Sequence, residues 1–302
     1  MDELRTKRNI MCIDLKSFFA FVECVERGID PYTTPLIVCN PEQKGAISLA
    51  VTPYLKSLGI PGRVRVYDIP KNIKYIKVPP RMSLYQKKSK EVIGIYLKYV
   101  AKEDLHVYSI DECFLDVTNY LKMYNMSDYE LALTILKDIK ESTGLVGTAG
   151  IGPNMLLAKI SMDIEAKHTK DNIAKWTYDD VETKLWDIKP LSKMWGIGSN
   201  LEKRLNSMNI YSVKELALTP KEKLIKEFGV LGGDLYYRAN GIDLTKLSDL
   251  NDYKPKEKSI SNSQVLFKDY FDFNIDIIIF FLFIFFSSGS FQKSFMCFCS
   301  FL

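Results

Sequence analysis

The sequence is poor in the residues that build several common kinds of site. Only two histidines occur among its 302 residues, and its six cysteines include no C-x-x-C pair. Structural zinc sites use four cysteine or histidine ligands, with the cysteines often paired at that spacing. A zinc centre is therefore not expected, and the cysteine usage favours a reducing, cytoplasmic setting.

Long apolar runs and a strong net charge are also missing. The longest apolar run, residues 277–286, has ten residues, whereas a transmembrane helix needs about 20. The first eight residues are charged and lack the apolar core of a signal peptide. The net charge of +4 does not by itself indicate a nucleic-acid partner. We expect no membrane association from these features.

Hydrophobic patterning predicts an α+β fold. Strands are expected over residues 9–14, 36–39, 46–51, 106–117, 146–151 and 172–176, and helices over residues 17–27, 53–58, 83–100, 127–142 and 154–166. Because the strands are few and the helices long, a mixed sheet with helices on one face is favoured. From residue 177 the strand signal stops, and 302 residues with 47% hydrophobic content fit two or three domains.

Two adjacent carboxylates, Asp111 and Glu112, lie within the apolar run 106–117. Burying them is costly unless a cation meets them, and oxygen ligands select a hard ion such as Mg²⁺. Neighbours on a strand point to opposite faces, so both reach one site only at a hairpin tip or a bulge. The alternative is that Glu112 faces solvent and Asp111 caps a turn.

A third carboxylate, Asp14, ends the first predicted strand and precedes a helix for which Ser17 is a plausible N-cap. If this strand lies beside residues 106–117, Asp14 joins Asp111 and Glu112 in one cluster. Three clustered carboxylates are what two-metal phosphoryl transfer requires, with the ions about 3.5–4 Å apart.

These motifs resemble those of the Y-family, the UmuC- and DinB-like translesion DNA polymerases. The resemblance depends on CIDLKSFFAFVE at residues 12–23 and YSIDECFLD at residues 108–116. The segments GIGPNMLLAK at 150–159 and WGIG at 195–198 add to it. The similarity runs from about residue 8 to about residue 270, and the first two motifs are specific in their combination, order and separation.

The resemblance implies a domain plan. It places a ferredoxin-like palm at residues 1–17 and 84–176, interrupted by small fingers at 18–83, and an all-α helix-hairpin-helix thumb at 177–248. A linker at 249–258 and the start of a little finger at 259–270 would follow. Residues 271–302 match neither the family nor an ordinary domain composition. We expect a frameshift or premature end there, and a membrane-seeking tail is the alternative.

The resemblance also implies a reaction and its metal ligands. A deoxynucleotide would be transferred from a dNTP to a primer 3′-hydroxyl with two Mg²⁺ ions. Asp14 and Asp111 would bridge both ions, and the backbone carbonyl of Leu15 would complete the nucleotide-side ion. Glu112 would complete the ion that activates the 3′-hydroxyl.

Further residues are implied for the nucleotide. Phe19, five residues after Asp14, corresponds to the family's steric gate, with Phe18 beside it; the alternative is that both rings are core residues of the first helix. Thr52 and Lys56 on the short helix, and Lys167 after the third palm helix, are candidates for the triphosphate. For Lys56 and Lys167 the alternative is a solvated surface position.

The segment 191–205 reads as helix, tight Gly-x-Gly turn and helix. Gly196 and Gly198 would let backbone N–H groups approach a phosphate. Lys193, Lys203 and Arg204 would supply charge nearby, as in the family's thumb. The alternative is a plain turn between helices with a glycine cap.

The implied partners are primer-template DNA, dNTP and, through the C-terminal region, a sliding clamp, in the SOS response to DNA damage. A second hypothesis is a catalytically weak DNA-binding fragment of such a polymerase, without its little finger. A third, a palm-fold nucleotide cyclase, needs no thumb, and the hairpin at 191–205 argues against it.

Overall fold

A computed structural model describes residues 2–43 and 45–252 of the chain. The expectations for most of the linker, the start of the little finger and the apolar tail concern residues 253–302, which lie outside the described residues. Within the described residues, no helix has both the length and the apolar character needed to cross a bilayer.

The elements alternate between strands and helices up to about residue 176 and are helical afterwards. The strands of the described residues are β1 (Ile10–Leu15), β2 (Leu36–Val38), β3 (Ala50–Val51), β4 (Ile76–Val78), β5 (Leu105–Val107), β6 (Glu112–Asp116), β7 (Gly147–Gly152) and β8 (Ile173–Lys175). The α-helices are α1 (Phe18–Glu26), α2 (Pro53–Ser57), α3 (Met82–Tyr96), α4 (Leu121–Tyr124), α5 (Asp128–Thr143), α6 (Met155–Ile164), α7 (Ser199–Ser207), α8 (Val213–Leu218), α9 (Lys221–Phe228), α10 (Val230–Ala239) and α11 (Leu247–Asp252).

The larger sheet has five strands in the order β5-β6-β1-β7-β8. The central strand β1 runs antiparallel to both β6 and β7, and β8 runs parallel to β7. In this register Asp14 lies opposite Glu112 on one side and opposite Thr148 on the other. The carboxyl end of β1 and the start of β6 therefore meet at one edge of the sheet.

Helices cover both faces of this sheet. Alternate residues of β1, such as Ile13 and Leu15, are buried in a core with α3 and α5. The intervening residues, such as Cys12, are buried with Met155 and Met162 of α6. The predicted α+β class with a mixed sheet is confirmed. Helices were expected on one face of the sheet, and they lie on the other face as well. The reason is that β1 is apolar on both faces, so both faces must be covered.

Helix α6 lies unusually close to strand β7, and glycines make this possible. A Cβ atom at Gly150 would lie 2.0 Å from the backbone oxygen of Ala158, and one at Gly152 would lie 2.5 Å from the backbone nitrogen of Ala158. Atoms cannot approach so closely, so side chains at these two positions would push the helix away. The glycines hold the polar side of α6 next to the edge where Asp14 lies.

The prediction of a single strand over residues 106–117 is wrong. These residues form a hairpin in which β5 and β6 pair antiparallel and a turn over residues 108–111 joins them. The Tyr108 and Ser109 N–H groups both donate to the Glu112 carbonyl oxygen, at 3.0 Å each. Apolar content alone did not reveal the turn, because Tyr108 and Ile110 are common in strands.

A smaller sheet with the order β3-β2-β4 lies beside the larger one. The strand predicted over residues 46–51 shortens to β3, and before it Ile47 forms only an isolated bridge with Arg65. Strand β4 was not predicted and pairs parallel to β2. Ser17 and Thr52 do precede helices, but neither side chain makes a capping hydrogen bond.

The helices after residue 177 have their own core, and the expected helix-hairpin-helix class is confirmed. The helix predicted before the Gly-x-Gly turn is instead a single 3-10 turn, Leu191–Lys193, whereas α7 follows the turn as predicted. Leu205 of α7, Leu216 of α8, Leu224 of α9 and Leu235 of α10 are buried together. The same core includes Leu156 and Ile160 of α6. The helical part is therefore packed against the helix that also covers the larger sheet.

Candidate active site

Three carboxyl groups lie at neighbouring strand ends. Asp14 is opposite Glu112 in the register of β1 and β6. The Leu15 N–H group donates to the Asp111 carbonyl oxygen at 2.9 Å. The backbone positions of all three acids therefore adjoin one another, although almost a hundred residues separate Asp14 from the other two.

The turn between β5 and β6 explains how consecutive acids both reach this edge. Asp111 lies in the turn and not in the strand, so strict alternation of faces does not apply to it. Its Oδ1 atom accepts a hydrogen bond from the Ser109 hydroxyl at 2.7 Å. The alternative in which Glu112 faces solvent is excluded, because Glu112 is only 8% exposed.

Two lysines neutralise the acids. Lys159 Nζ of α6 lies 2.9 Å from each carboxylate oxygen of Glu112 and 3.0 Å from Asp163 Oδ2. Lys167 Nζ lies 3.4 Å from Asp14 Oδ2 and 2.7 Å from Asp163 Oδ1. Lys159 and Asp163 are four residues apart on one helix, which accounts for their pairing, whereas the contacts of Lys159 with Glu112 and of Lys167 with Asp14 join separate elements.

The pKa of Asp14 is raised to about 6. Burial is the largest cause, the Lys167 ammonium acts against it, and the charges of Asp111 and Glu112 add to the rise. Burial alone would lower the pKa of Lys159, but the acidic groups around it raise that pKa overall. A nearby cation would favour the charged form of Asp14 over the protonated one.

The donor set has the chemistry of a Mg²⁺ site, but the side chains do not form a cage. Among residues 2–43 and 45–252, no three His, Cys, Asp or Glu side chains are placed to hold one metal ion. Glu112 is occupied by Lys159 and by the Cys12 thiol, which donates to its Oε1 atom at 3.1 Å. The buried Thr148 hydroxyl, opposite Asp14, has no hydrogen-bond partner in the described structure. Carboxylates and an unpaired hydroxyl beside them are ligands and supporting groups that fit a hard cation.

A cleft of about 840 Å³ opens beside Asp14 and Asp111. We call it the central cleft. Its lining includes Leu15, Phe18, Phe19, Ile47, Leu49, Ala50, Lys56, Arg63, Gln86, Ser89, Lys90 and Ile93. It therefore joins the carboxylate edge of the larger sheet to the smaller sheet and to α3. Its volume suits a ligand of nucleotide size.

The two adjacent phenylalanines have different environments. Phe18 is 3% exposed and belongs to the core beneath the larger sheet. Phe19 is half-buried and packs against the same core, and both rings border the central cleft. The alternative in which both rings are core residues therefore applies fully to Phe18 and only partly to Phe19.

The candidate triphosphate ligands lie in different environments. Lys56 borders the central cleft, and burial lowers its pKa while Asp14 acts to raise it. The prediction of Thr52 as a triphosphate ligand is wrong, because its hydroxyl is fully buried. The hydroxyl donates to the Thr34 carbonyl oxygen at 2.8 Å and accepts from the Leu36 N–H group. Arg63 was missed, since it lies in a loop without a motif.

Gln86, Ser89, Lys90 and Ile93 were also missed as cleft residues. They all lie on α3 and all border the central cleft. Their spacing of three and four residues puts them on one face of a helix. That spacing was visible in the sequence, but nothing there showed which face of the helix meets a cleft.

The Gly-x-Gly turn is shaped by a neighbouring arginine. Gly196 has φ +90, and a Cβ there would lie 2.6 Å from Arg238 Nη1. Arg238 lies over the Trp195 ring at 4.9 Å and donates to the Trp195 carbonyl oxygen at 3.0 Å. Gly198 has open space around it and is exposed.

The charged residues near this turn are exposed, but one is already paired. Lys193 and Lys203 face solvent. Arg204 binds Glu227 at 3.1 Å and covers the Phe228 ring at 4.6 Å, which ties α7 to α9. Exposed ion pairs of this kind are weak, so the pair does not exclude a phosphate contact.

Comparison with known proteins agrees with this architecture. The model of the impB/mucB/samB family matches residues 13–163, and that of the IMS family HHH motif matches residues 178–210. A putative UV-damage repair protein UvrX of Bacillus subtilis (strain 168) is 41% identical over 87% of this chain and 62% of its own length. DNA polymerase IV 2 of the same organism is 33% identical over 89% of this chain and 64% of its own length.

Solved structures are similar as well. A post-insertion binary complex of Dbh DNA polymerase has a TM-score of 0.67 at 26% identity and covers 79% of this chain and 69% of that one. DinB from Sulfolobus solfataricus has a TM-score of 0.61 at 26% identity, over 82% and 69% of the two chains.

The fold and the site thus define a palm-type polymerase scaffold with a helix-hairpin-helix unit. The chain belongs to the impB/mucB/samB family, the Y-family of translesion DNA polymerases. It spans somewhat less than two thirds of the length of the curated relatives described above.

Proposed function

We propose that this chain is a translesion DNA polymerase, which adds a deoxynucleotide to a primer 3′-hydroxyl as the template directs. The observation that carries the proposal is the central cleft, where Asp14 and Asp111 share one cavity with Phe19 and Lys56. Such a cavity combines acids for a metal, a ring beneath a sugar and a cation for phosphate. These are the parts that phosphoryl transfer needs, since its catalysis is mostly positioning and charge neutralisation.

Asp14, Asp111, Glu112 and the backbone carbonyl of Leu15 would hold two Mg²⁺ ions. Bound Mg²⁺ would lower the pKa of the attacking hydroxyl and neutralise charge on the leaving pyrophosphate. The register of Asp14 with Glu112 and the raised pKa of Asp14 support this ligand set. Lys159 neutralises Glu112 in the absence of an ion.

The remaining cleft residues would select and orient the nucleotide. Phe19 excludes a 2′-hydroxyl by steric clash, while Phe18 supports it from the core. Lys56 and Lys167 attract the triphosphate as point charges rather than as bidentate ligands. We assign residues 18–83 to the fingers, residues 1–17 and 84–176 to the palm, and residues 177–248 to the thumb.

The thumb would hold the backbone of the primer-template DNA. The exposed Gly196 and Gly198 allow close approach of the backbone, and Lys193, Lys203 and Arg204 supply charge. We further propose that the protein acts in the cytoplasm during the SOS response and that a sliding clamp binds its C-terminal region.

A second candidate is a DNA-binding fragment with weak catalysis. It is favoured by one observation, that Glu112 is already paired with Lys159 and no three acids among the described residues are placed to hold one metal ion. Such a fragment would keep affinity for the DNA backbone, with a steep dependence on salt.

Primer extension across a template abasic site, at low salt, separates the two candidates. We expect the wild-type chain to extend past the lesion with Mg²⁺ and to stop when EDTA is added. Binding without extension, measured in the same samples by anisotropy of a labelled primer, would support the fragment instead. Asp111→Asn serves as the negative control, because it removes a charge from the cleft without removing volume.

A further inference from the structure

The ring of Phe19 is not free to move on its inner side. It stacks on the ring of Tyr85, with centroids 4.5 Å apart and planes inclined by 20°. The Phe18 ring meets both, at 5.6 Å from Phe19 and 6.5 Å from Tyr85. One side of Phe19 therefore borders the central cleft while the other rests on a second aromatic ring.

Tyr85 is itself fixed at both ends. It is fully buried in α3, and its hydroxyl donates to Glu23 Oε1 at 2.7 Å. A buried tyrosine that moved would leave both this hydrogen bond and its packing, which is costly. Tyr85 is thus a rigid surface behind Phe19.

The acceptor of that hydrogen bond is anchored by two arginines. Glu23 is fully buried in α1 and accepts from Arg81 Nε at 2.9 Å and from Arg81 Nη2 at 2.8 Å. Arg27 Nη1 also contacts its carboxylate. Charge-assisted bonds with a forked donor fix the carboxylate in direction as well as in position. The anchor joins α1, which carries Phe19, to α3, which carries Tyr85.

We propose that Tyr85 is a positioning residue for the sugar specificity of the central cleft, holding Phe19 in place, with Glu23 as its anchor. The inference rests on the proposed polymerase function. Exclusion by clash works only if the excluding ring cannot yield, because a phenylalanine side chain that turns to another rotamer makes room for one more oxygen. The stack on Tyr85 removes that freedom.

A purely structural role for Tyr85 makes a different prediction. Tyr85 would then contribute to folding like any buried ring, and its loss would lower the use of both sugars equally. The discriminating quantity is the ratio of incorporation efficiency for a deoxynucleotide to that for the matching ribonucleotide. A change in that ratio is not expected from lost stability alone.

The test is single-turnover incorporation on a DNA primer-template with Mg²⁺, using dCTP and CTP opposite a template guanine. In Tyr85→Leu we expect the ratio to fall roughly three- to tenfold through faster use of CTP, which matches the energy of one aromatic pair. Phe19→Ala should lower it further, on the order of 100-fold. Tyr85→Phe keeps the stacked ring but loses the bond to Glu23, so it should lower the ratio less than Tyr85→Leu does, by at most about threefold.

Tyr96→Leu is the matched control. Tyr96 is a buried tyrosine of the same helix, and no ring contact joins it to Phe19 among the described residues. Its loss should leave the ratio unchanged. If Tyr85→Leu does not fold, Tyr85→Met replaces it, because a flexible side chain of similar volume fills the space without a stacking face.

The outcomes separate this inference from the function on which it depends. An unchanged ratio in Tyr85→Leu or Tyr85→Met, with dCTP still incorporated, overturns the positioning role alone. The same fall in Tyr96→Leu also overturns it, since the effect would then come from general loosening. No incorporation of dCTP by the wild-type chain overturns the polymerase function and this inference with it.

Discussion

The ammonium of Lys159 lies 2.9 Å from both carboxylate oxygens of Glu112, and both side chains are only 10% exposed. This ion pair joins α6 to the first residue of β6. It also occupies an acid that the proposed mechanism assigns to a metal. The protein therefore supplies a cation of its own beside this acid.

Lys159→Met should destabilise the metal-free protein by about 3–5 kcal/mol, because it leaves a buried carboxylate without its partner. Added Mg²⁺ should then raise the melting temperature of the variant more than that of the wild type, since the ion replaces the lost charge. Thermal unfolding with and without Mg²⁺ measures both effects.

The double variant Lys159→Met/Glu112→Gln is the control for this prediction. Removing both charges should restore most of the lost stability, as a double-mutant cycle would report. Equal melting temperatures for Lys159→Met and wild type without Mg²⁺ would show that the pair contributes nothing.

Asp111→Asn should reduce primer extension on the order of 10³-fold or more, because a carboxylate that neutralises the transition state is lost. Asp116→Asn is the control. Asp116 lies at the far end of β6, where Arg8 binds it at 3.3 Å, and it does not border the central cleft. Near-normal extension by Asp111→Asn would contradict the proposed metal ligands.

Phe18→Ala and Phe19→Ala should separate core packing from sugar exclusion. Phe18→Ala is expected to lower the free energy of unfolding by about 3–5 kcal/mol, as for other buried phenylalanines, without admitting ribonucleotides. Phe19→Ala should admit ribonucleotides at a smaller loss of stability. Chemical denaturation and incorporation assays on both variants test this, and the reverse pattern would exchange the roles of the two rings.

Gly196→Ala and Gly198→Ala should both weaken DNA binding, but for different reasons. A side chain at Gly196 would clash with Arg238 and would be strained by the backbone φ of +90. Gly196→Ala should therefore lower the stability by about 1–3 kcal/mol. At Gly198 the backbone is ordinary and the space is open, so stability should change by less than about 0.5 kcal/mol.

Melting curves and anisotropy of labelled DNA at two salt concentrations measure the two glycine variants. A loss of affinity in Gly198→Ala at unchanged stability would support close approach of the DNA backbone at this turn. Unchanged affinity in both variants would leave the turn as a plain connection between helices.

Glu23 should make the free energy of unfolding depend on pH in the acidic range. Burial would raise its pKa, but hydrogen bonds from Arg81, Tyr85 and Arg27 outweigh this and lower it below the ordinary value of 4.5. A lowered pKa stabilises the fold above pH 4.5, and that stabilisation is lost as the pH falls through the folded-state value.

Glu23→Gln tests this pH dependence. The variant should be less stable than wild type at pH 7, and the difference should shrink below pH 4.5. Urea unfolding between pH 3 and pH 7 measures it. A constant difference across that range would show that the charge of Glu23 does not matter to the fold.

Much of the fold follows from local pattern, because the long helices and the first strand have clear periodicity. The turn before Glu112 does not, since Ile110 and Cys113 suit a strand as well as a hairpin. Pairing with β1 decides where the strand begins, and that pairing joins residues about a hundred positions apart. The contact of Lys159 with Glu112 also joins residues far apart in the sequence, at a separation of 47 positions, whereas Lys159 and Asp163 are neighbours on one helix.

The site shows a similar division. Asp14 and Asp111 were candidates because they end or interrupt apolar runs, and Phe19 was a candidate because the family that the chain resembles has its steric gate at that position. Arg63 has no such marker. Thr52 was misassigned because a threonine before a helix suggests an exposed hydroxyl, whereas the chain packs it against residues 34–36.

The closeness of α6 to β7 has a consequence for the evolution of the site. Two hydrogen atoms, on Gly150 and Gly152, set how far Lys159 and Lys167 stand from the acids. A side chain at either glycine would push α6 away from β7 and would lengthen the contact of Lys159 with Glu112. The position of this cation is therefore encoded in part on β7, a strand that carries no charge.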